Sequence, residues 1–277
     1  MRSIKKIAIL GVGFMGGSLA LALGKKFPSK AIWGYARSKK SFARLKKLKV
    51  VGQLSQDLKK VVKDADIVAL AMPVEVIIDY FKRISPFLKE EAIVFDLGSS
   101  KNAIQKSAGK YLPKRVSFIG CHPLCGSEKA GARFADRNLY KDCLCLITTP
   151  SSKAAKVVKG LWEALGAKVV FMSSQRHDKI LSFVSHLPHL ISFAFSDSVP
   201  KNYEKFASAS FNDLTRISVS PAVVWAEIFL SNKKNILSDL NKFRKSLKRF
   251  ESLLKKNDKE AVIELVSKIN SKQRRIS

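Results

Sequence analysis

Residues 4–18 run IKKIAILGVGFMGGS, a short apolar stretch that breaks into a glycine-rich turn. IKKIAIL (4–10) reads as a first β-strand, and GVGFMGGS (11–18) follows it directly and opens a helix. Glycines spaced G-x-G-x-x-G permit a tight turn, backbone approach to a pyrophosphate and close helix–strand packing. The helix N-terminus adds amide donors. The setting of strand, turn and helix, more than the glycine spacing, makes this a dinucleotide-binding signal. The start, MRSIKKIAILGVG, is basic then apolar as a secretory signal is, but it reaches a glycine turn in place of a small-residue cleavage site.

Downstream, AIWGYA (31–36), DIVALAM (66–72), AIVFDL (92–97), VSFIGC (116–121), CLCLIT (143–148) and AKVVFM (167–172) read as further strands. Segments 38–49, 74–88 and 152–165 read as helices between them. Alternating strand and helix builds a parallel sheet covered on both faces. After about residue 173 no run has strand character, and helical spacing takes over. The expected architecture is an α/β N-terminal domain over residues 1–173, a Rossmann-type, doubly wound, mostly parallel sheet, followed by an all-α C-terminal domain over residues 174–277. In the latter, Ile236, Leu240, Phe243, Leu247, Phe250 and Leu254 form a heptad seam flanked by Lys233, Lys242, Lys245 and Lys248. Such a seam packs against another helix of the same chain or against a second subunit. A homodimer through the helical domain is the expectation.

The 277 residues carry 46% hydrophobic side chains, enough to bury a real core. No apolar run reaches the roughly 18 residues a membrane-spanning helix needs, so no membrane partner is expected and the location is read as cytoplasmic. Lys and Arg number 51 against 22 Asp and Glu, a net charge of +29. Such a field speeds the capture of anions. The lysines are spread along the whole chain without a zinc-finger, basic-zipper or aromatic–basic RNA-binding pattern, so an anionic small molecule is expected and nucleic acid is not. A lysine-rich genome-wide composition is the competing reading of that charge. Cys121, Cys125, Cys143 and Cys145 are spaced C-x-x-x-C and C-x-C, unlike zinc ribbons, and read as buried free thiols with no metal.

The cofactor site draws on Gly11, Gly13, Phe14, Met15 and Gly16, with Pro73 and Ser99 beyond the ends of two further strands. An NAD-selective site carries Asp or Glu at the end of the second strand, on the ribose 2′-hydroxyl. Here that position reads Tyr35-Ala36-Arg37-Ser38-Lys39-Lys40, without a carboxylate. Arg37, Ser38 and Lys39 suit a 2′-phosphate dianion. NADP is the expected cofactor and NAD the alternative; Lys39 and Lys40 read equally well as exposed charges at a helix start.

The ligand crevice of an open parallel sheet lies beyond the carboxyl ends of its strands. His122 follows one such end in GCHPLCGSEKAG (120–131), and Ser99 and Lys101 follow another in DLGSSK. Ser185, His186 and His189 stand in SHLPHLISFAF, and Arg216 in NDLTRIS. The set GxGxMGxS, DxGSxK, GxHPxxGxE, SHLPH and DLTR, in this order through nearly all of the chain, resembles the prephenate/arogenate dehydrogenase family of tyrosine biosynthesis. Members often carry a regulatory domain or a fused chorismate mutase, for which a chain ending at Ser277 has no room.

The resemblance implies oxidative decarboxylation of prephenate to 4-hydroxyphenylpyruvate, or of arogenate to tyrosine. Hydride passes from the carbinol carbon to a nicotinamide, the ring hydroxyl loses its proton, and loss of carbon dioxide completes the aromatic ring. His122 is implied as the base on that hydroxyl, a task an imidazole suits at neutral pH. Its loop is read as a rigid strand-end turn. Ser99 is implied to bond the hydroxyl or orient His122, and Arg216 to pair with a substrate carboxylate. His189, His186, Ser185 and Glu128 are implied to line the pocket. Glu128 and Lys101 equally suit a loop-stabilising ion pair or cap, and His186 a structural role. His177 begins no motif and reads as exposed. Two other functions stay open: another two-domain NADP-dependent hydroxy-acid dehydrogenase, because a fold does not fix a function, and a non-catalytic NADP(H)-binding redox sensor with nucleic acid on its basic surface.

Overall fold

A computed structural model describes residues 4–125 and 130–274. Its sheet has eight strands: β1 (Ile7–Leu10), β2 (Ile32–Tyr35), β3 (Gln53–Ser55), β4 (Ile67–Leu70), β5 (Ile93–Asp96), β6 (Ser117–Leu124), β7 (Leu144–Ile147) and β8 (Lys168–Phe171). Their order is β3-β2-β1-β4-β5-β6-β7-β8, with every pairing parallel except β6 with β7. The chain starts at β1, runs outward to β3, then crosses back to β4 and proceeds the other way. That reversal opens a crevice at the carboxyl ends of β1 and β4. All seven expected strands are present. The eighth, β3, is a three-residue edge strand without a fully buried side chain, too short and polar for an alternation signal.

Helices α1 (Phe14–Leu23), α2 (Lys39–Leu48), α3 (Leu58–Val62), α4 (Val74–Ile84), α5 (Asn102–Tyr111) and α6 (Lys153–Ala164) connect the strands. Alternate strand side chains enter two apolar layers. Ile7, Ile9, Phe95 and Ile119 meet Leu19, Leu23 and Trp162 in one. Ala8, Leu10, Val68 and Val94 meet Ile77, Phe81 and Ile104 in the other. Burial on both faces explains why β1 and β4 are continuous apolar runs.

Strand β6 changes partner along its length. Residues 117–120 pair in parallel with β5, and residues 121–124 pair antiparallel with β7. His122 lies in the second half, opposite Leu146. The sequence reading ends the strand at Cys121 and puts His122 in a loop; the structure corrects this, because β7 takes up the pairing that β5 releases.

Beyond β8 the chain is helical. α7 (Ser174–Leu181), a π-helical segment (Ser182–His186) and α8 (Leu187–Ser198) follow without a break. Pro188 lacks an N–H and its ring crowds the carbonyl four residues back, which disfavours a plain α-turn there. The Leu187 N–H instead reaches five residues back to the Ser182 carbonyl. α9 (Ala209–Thr215) and α10 (Ala222–Ser231) complete a compact unit that ends at Asn232. The second unit holds α11 (Lys233–Lys255) and α12 (Lys259–Gln273). On α11 the heptad residue Ile236 is buried, whereas Leu247 and Leu254 are 51% and 66% exposed. Among the described residues no single helix is long and apolar enough to cross a membrane.

Candidate active site

The turn after β1 meets the turn after β4. Gly11 has φ +90°, and a Cβ there would stand 2.3 Å from the Ala71 carbonyl oxygen. Gly13 heads α1, where a Cβ would meet nothing within 4 Å. No side chain caps α1, which leaves its first-turn N–H groups without a capping side chain, as a pyrophosphate site needs. The Tyr140 hydroxyl donates to the Met15 carbonyl at 2.7 Å and steadies the loop. Pro73 heads α4 beside these glycines. At the end of β2, Arg37, Lys39 and Lys40 are exposed. Ser38 caps α2 in a reciprocal pair with Ser41, so its hydroxyl is already engaged. These residues fit an adenine dinucleotide.

A chain of buried polar groups leads away from His122. Its Nδ1 lies 2.9 Å from His177 Nε2, and His177 Nδ1 lies 2.8 Å from Asp178 Oδ1. The Asp178 carboxylate also accepts the backbone N–H groups of Lys101 (2.7 Å) and Asn102 (2.9 Å). Lys101 runs inward from there; its ammonium pairs with Asp96 at the end of β5 and donates to the Cys121 carbonyl at 2.8 Å. Asn232 Nδ2 donates to the Asp178 carbonyl (2.7 Å) and to His186 Nδ1 (3.1 Å).

Burial sets the charges. It holds His122 well below the usual imidazole range, reinforced by His177 and the Lys101 ammonium. It lowers His177 despite the pull of Asp178, and takes His186 down to about 4. Burial opposes ionisation of Asp178, yet the hydrogen bonds from His177, Asn102 and Lys101 outweigh it and keep that carboxyl below the ordinary range. Asp96, fully enclosed, is raised by burial against the opposing effect of Lys101. All three imidazoles are therefore neutral at pH 7 and Asp178 is ionised.

His189, on α8, stacks on Trp225 of α10 with ring centroids 3.6 Å apart. Its Nδ1–H donates to the Ser185 carbonyl at 2.9 Å. Burial lowers its pKa, and the charge of Arg216 adds to that, so the exposed guanidinium lies within electrostatic reach. Ser99 and Ser185 are half-buried, whereas His186 is enclosed and held by Asn232. Glu128 lies outside the described residues. The four cysteines are free, and no cluster of three metal-ligating side chains occurs among the described residues.

One expectation reverses. His177 is 0% exposed, on the buried side of α7 with Ser174, Asp178 and Leu181. Hydrogen bonds at both ring nitrogens satisfy it there. Sequence reading also misses Asp178, Asp96, Trp225 and Asn232. The adjacent His177-Asp178 pair and an aspartate closing the apolar run AIVFD are the signals that could have found the first two.

Residues 19–171 match the family model described as prephenate dehydrogenase, nucleotide-binding domain, and residues 173–268 that described as prephenate dehydrogenase, dimerization domain. The chain belongs to the prephenate dehydrogenase family. Within that family, the prephenate dehydrogenase of Lactococcus lactis is 32% identical over 267 residues, covering 94% of this chain and 74% of that protein. The cyclohexadienyl dehydrogenase of Zymomonas mobilis is 29% identical over 275 residues, 95% of this chain and 93% of that one. The prephenate dehydrogenase from A. aeolicus, solved in complex with hydroxyphenyl propionate and NAD+, superposes with a TM-score of 0.91 at 32% identity, covering 99% of both chains.

Proposed function

We propose that this prephenate dehydrogenase family member carries out the oxidative decarboxylation of prephenate or arogenate in tyrosine biosynthesis, with His122 as the base. The observation that carries the assignment of the base is a half-buried imidazole, kept neutral by its surroundings, in the strand beside β5 of a dinucleotide-binding sheet. The dinucleotide, when bound, supplies the hydride acceptor. His122 takes the ring hydroxyl proton as the carbinol carbon is oxidised, and returns it to the phenolate oxygen after carbon dioxide has left. Ser99 bonds the same hydroxyl, and Arg216 pairs with a substrate carboxylate. The His189–Trp225 stack forms an apolar wall against the ring, with Ser185 further along the pocket and His186 supporting it from behind.

NADP is the preferred cofactor in this reading. Its support is Arg37 and Lys39 at the end of β2, with no carboxylate to meet a 2′-hydroxyl; the A. aeolicus relative was solved with NAD+, so NAD is the competing outcome. Residues 174–277 serve as the substrate and dimerisation part of a cytoplasmic homodimer. Tyr203, Phe206, Val219 and Val223, between 64% and 78% exposed, supply apolar surface for such an interface.

The test is nicotinamide reduction followed by absorbance in a two-by-two grid, prephenate or arogenate with NAD or NADP. One strong NADP cell names the substrate and supports Arg37; activity with NAD alone overturns the cofactor preference. His122→Asn should lower turnover about 10²–10⁴-fold with dinucleotide binding intact. Near-normal turnover would remove His122 from the chemistry.

A further inference from the structure

His122 has two ring nitrogens, and a base needs one of them bare. Which one is bare follows from hydrogen bonds already described. Asp178 receives the backbone N–H groups of Lys101 and Asn102 and is an ionised, acceptor-only group. The nitrogen that faces it, Nδ1 of His177, must therefore carry a hydrogen. His177 is neutral, which leaves its Nε2 as a lone pair. That lone pair faces Nδ1 of His122 at 2.9 Å, so this Nδ1 must carry a hydrogen in turn. Nε2 is the nitrogen left bare on His122.

We propose that His177 and Asp178 are positioning residues of the reaction: Asp178 fixes the tautomer of His177, His177 fixes the tautomer of His122, and Nε2 of His122 is thereby held as the proton acceptor. The inference rests on the reading of His122 as base. A second consequence concerns charge. When Nε2 of His122 gains the hydroxyl proton, the hydrogen on its Nδ1 moves towards Nε2 of His177. The positive charge then rests on the ring that is hydrogen-bonded to the Asp178 carboxylate. Return of the proton to the phenolate reverses both movements, so no proton is gained or lost by the pair over a turnover. The arrangement resembles the acid-anchored imidazole of other proton-transfer sites, with one more ring inserted between acid and base.

The other titratable groups around the pair are Lys101 and Asp96, a mutually neutralising ion pair, and His186, which Asn232 keeps as an acceptor at Nδ1. None of them meets either ring nitrogen that links His122 to His177. The tautomer chain therefore depends on Asp178 alone. With asparagine there, an amide whose nitrogen takes the Oδ1 place gives up the Lys101 N–H that shares that oxygen but can donate to Nδ1 of His177. The whole chain then inverts and places a hydrogen on Nε2 of His122.

The experiment uses the full-length protein with the substrate and dinucleotide that react best in the grid. Asp178→Asn, His177→Gln, His177→Leu and His122→Asn are compared by kcat, KM, thermal melting and the pH profile of kcat/KM. Asp178→Asn should lower kcat about 10²–10⁴-fold with KM changed less than about threefold. The acidic limb of its profile should move to lower pH, because the carboxylate that favours the imidazolium is gone. His177→Gln should retain at least about tenfold more turnover than His177→Leu, since a glutamine carbonyl can still accept the Nδ1–H of His122. An unmoved acidic limb in a folded Asp178→Asn protein overturns the proposal. If that variant does not fold, the glutamine–leucine comparison decides, and equal activities overturn it. An active His122→Asn protein instead removes the base itself, a failure distinct from that of the relay.

Discussion

Lys101→Met removes one partner of an ion pair whose side chains are both 0% exposed. Methionine keeps the volume and the unbranched stem, so the loss is electrostatic. Asp96 then retains only backbone donors, Gly98 N–H at 2.8 Å and Cys121 N–H at 3.4 Å. An uncompensated buried charge of this kind costs about 3–5 kcal/mol. For a chain of 277 residues, unfolding entropy near the midpoint is roughly 0.6 kcal/mol per kelvin, so the midpoint should fall by about 5–9 °C at pH 7. The pH dependence has a definite sign. Burial raises Asp96 in the folded state, so its ionisation penalises folding above the unfolded value and the penalty fades as pH falls through the folded one. The deficit of Lys101→Met should therefore be greatest at neutral pH and shrink towards pH 5. Adding Asp96→Asn should restore part of the midpoint, since removing both charges is milder than removing one. Differential scanning fluorimetry from pH 5 to 8 measures all of this. A midpoint within about 2 °C of the parent at pH 7 would refute the argument.

Further outcomes follow from the same geometry. His122, His177 and His186 are held neutral by burial, so the unfolded chain binds protons that the folded one refuses, and stability should fall as pH drops below about 6.5. His186 alone, lowered to about 4, accounts for up to about 3 kcal/mol of that loss by pH 4; denaturant midpoints between pH 7 and 4.5 check it, and a flat profile contradicts it. Gly13→Ala should melt within about 2 °C of the parent yet weaken dinucleotide binding at least about tenfold, because the added methyl stands in open space at the helix start where the pyrophosphate is proposed to lie. Calorimetric titration with NADP and NAD reads this. Arg216→Ala should raise KM for the substrate by about 10–100-fold with a smaller change in kcat, as loss of a charged hydrogen bond predicts; unchanged kinetics would take Arg216 out of the pocket.

The middle of the sheet was legible because β1, β4 and most of β5 are buried on both faces, which turns each into an unbroken apolar run such as VALAM or IVF. β3 left no such trace, since Gln53, Leu54 and Ser55 bury nothing completely. His122 stood out by its neighbours in sequence, Pro123 and the glycines. His177 did not, because Gln175, Arg176, Asp178 and Lys179 around it are all polar and give α7 the look of a solvated helix. Its burial is decided by contacts from distant elements: β6 supplies His122, and α5 supplies the N–H groups that anchor Asp178. Lys101 was open between two readings for the same reason. Nothing in DLGSSK says that the ammonium turns back to the strand's own aspartate.

The π-helical segment between α7 and α8 has a consequence for chain length. His177 and His189 are twelve positions apart, which in a plain α-helix at about 100° per residue turns them about 120° away from each other. A π-turn absorbs one extra residue without advancing the helix, and the angle falls to about 20°. The helix therefore contains a supernumerary residue, and the exposed Val184 (64%) is the position whose side chain is least committed to packing. Deleting that residue, with Pro188 replaced so that a plain α-turn can form, would still bring both imidazoles to one side. Another cannot be added there without turning His189 away from Trp225.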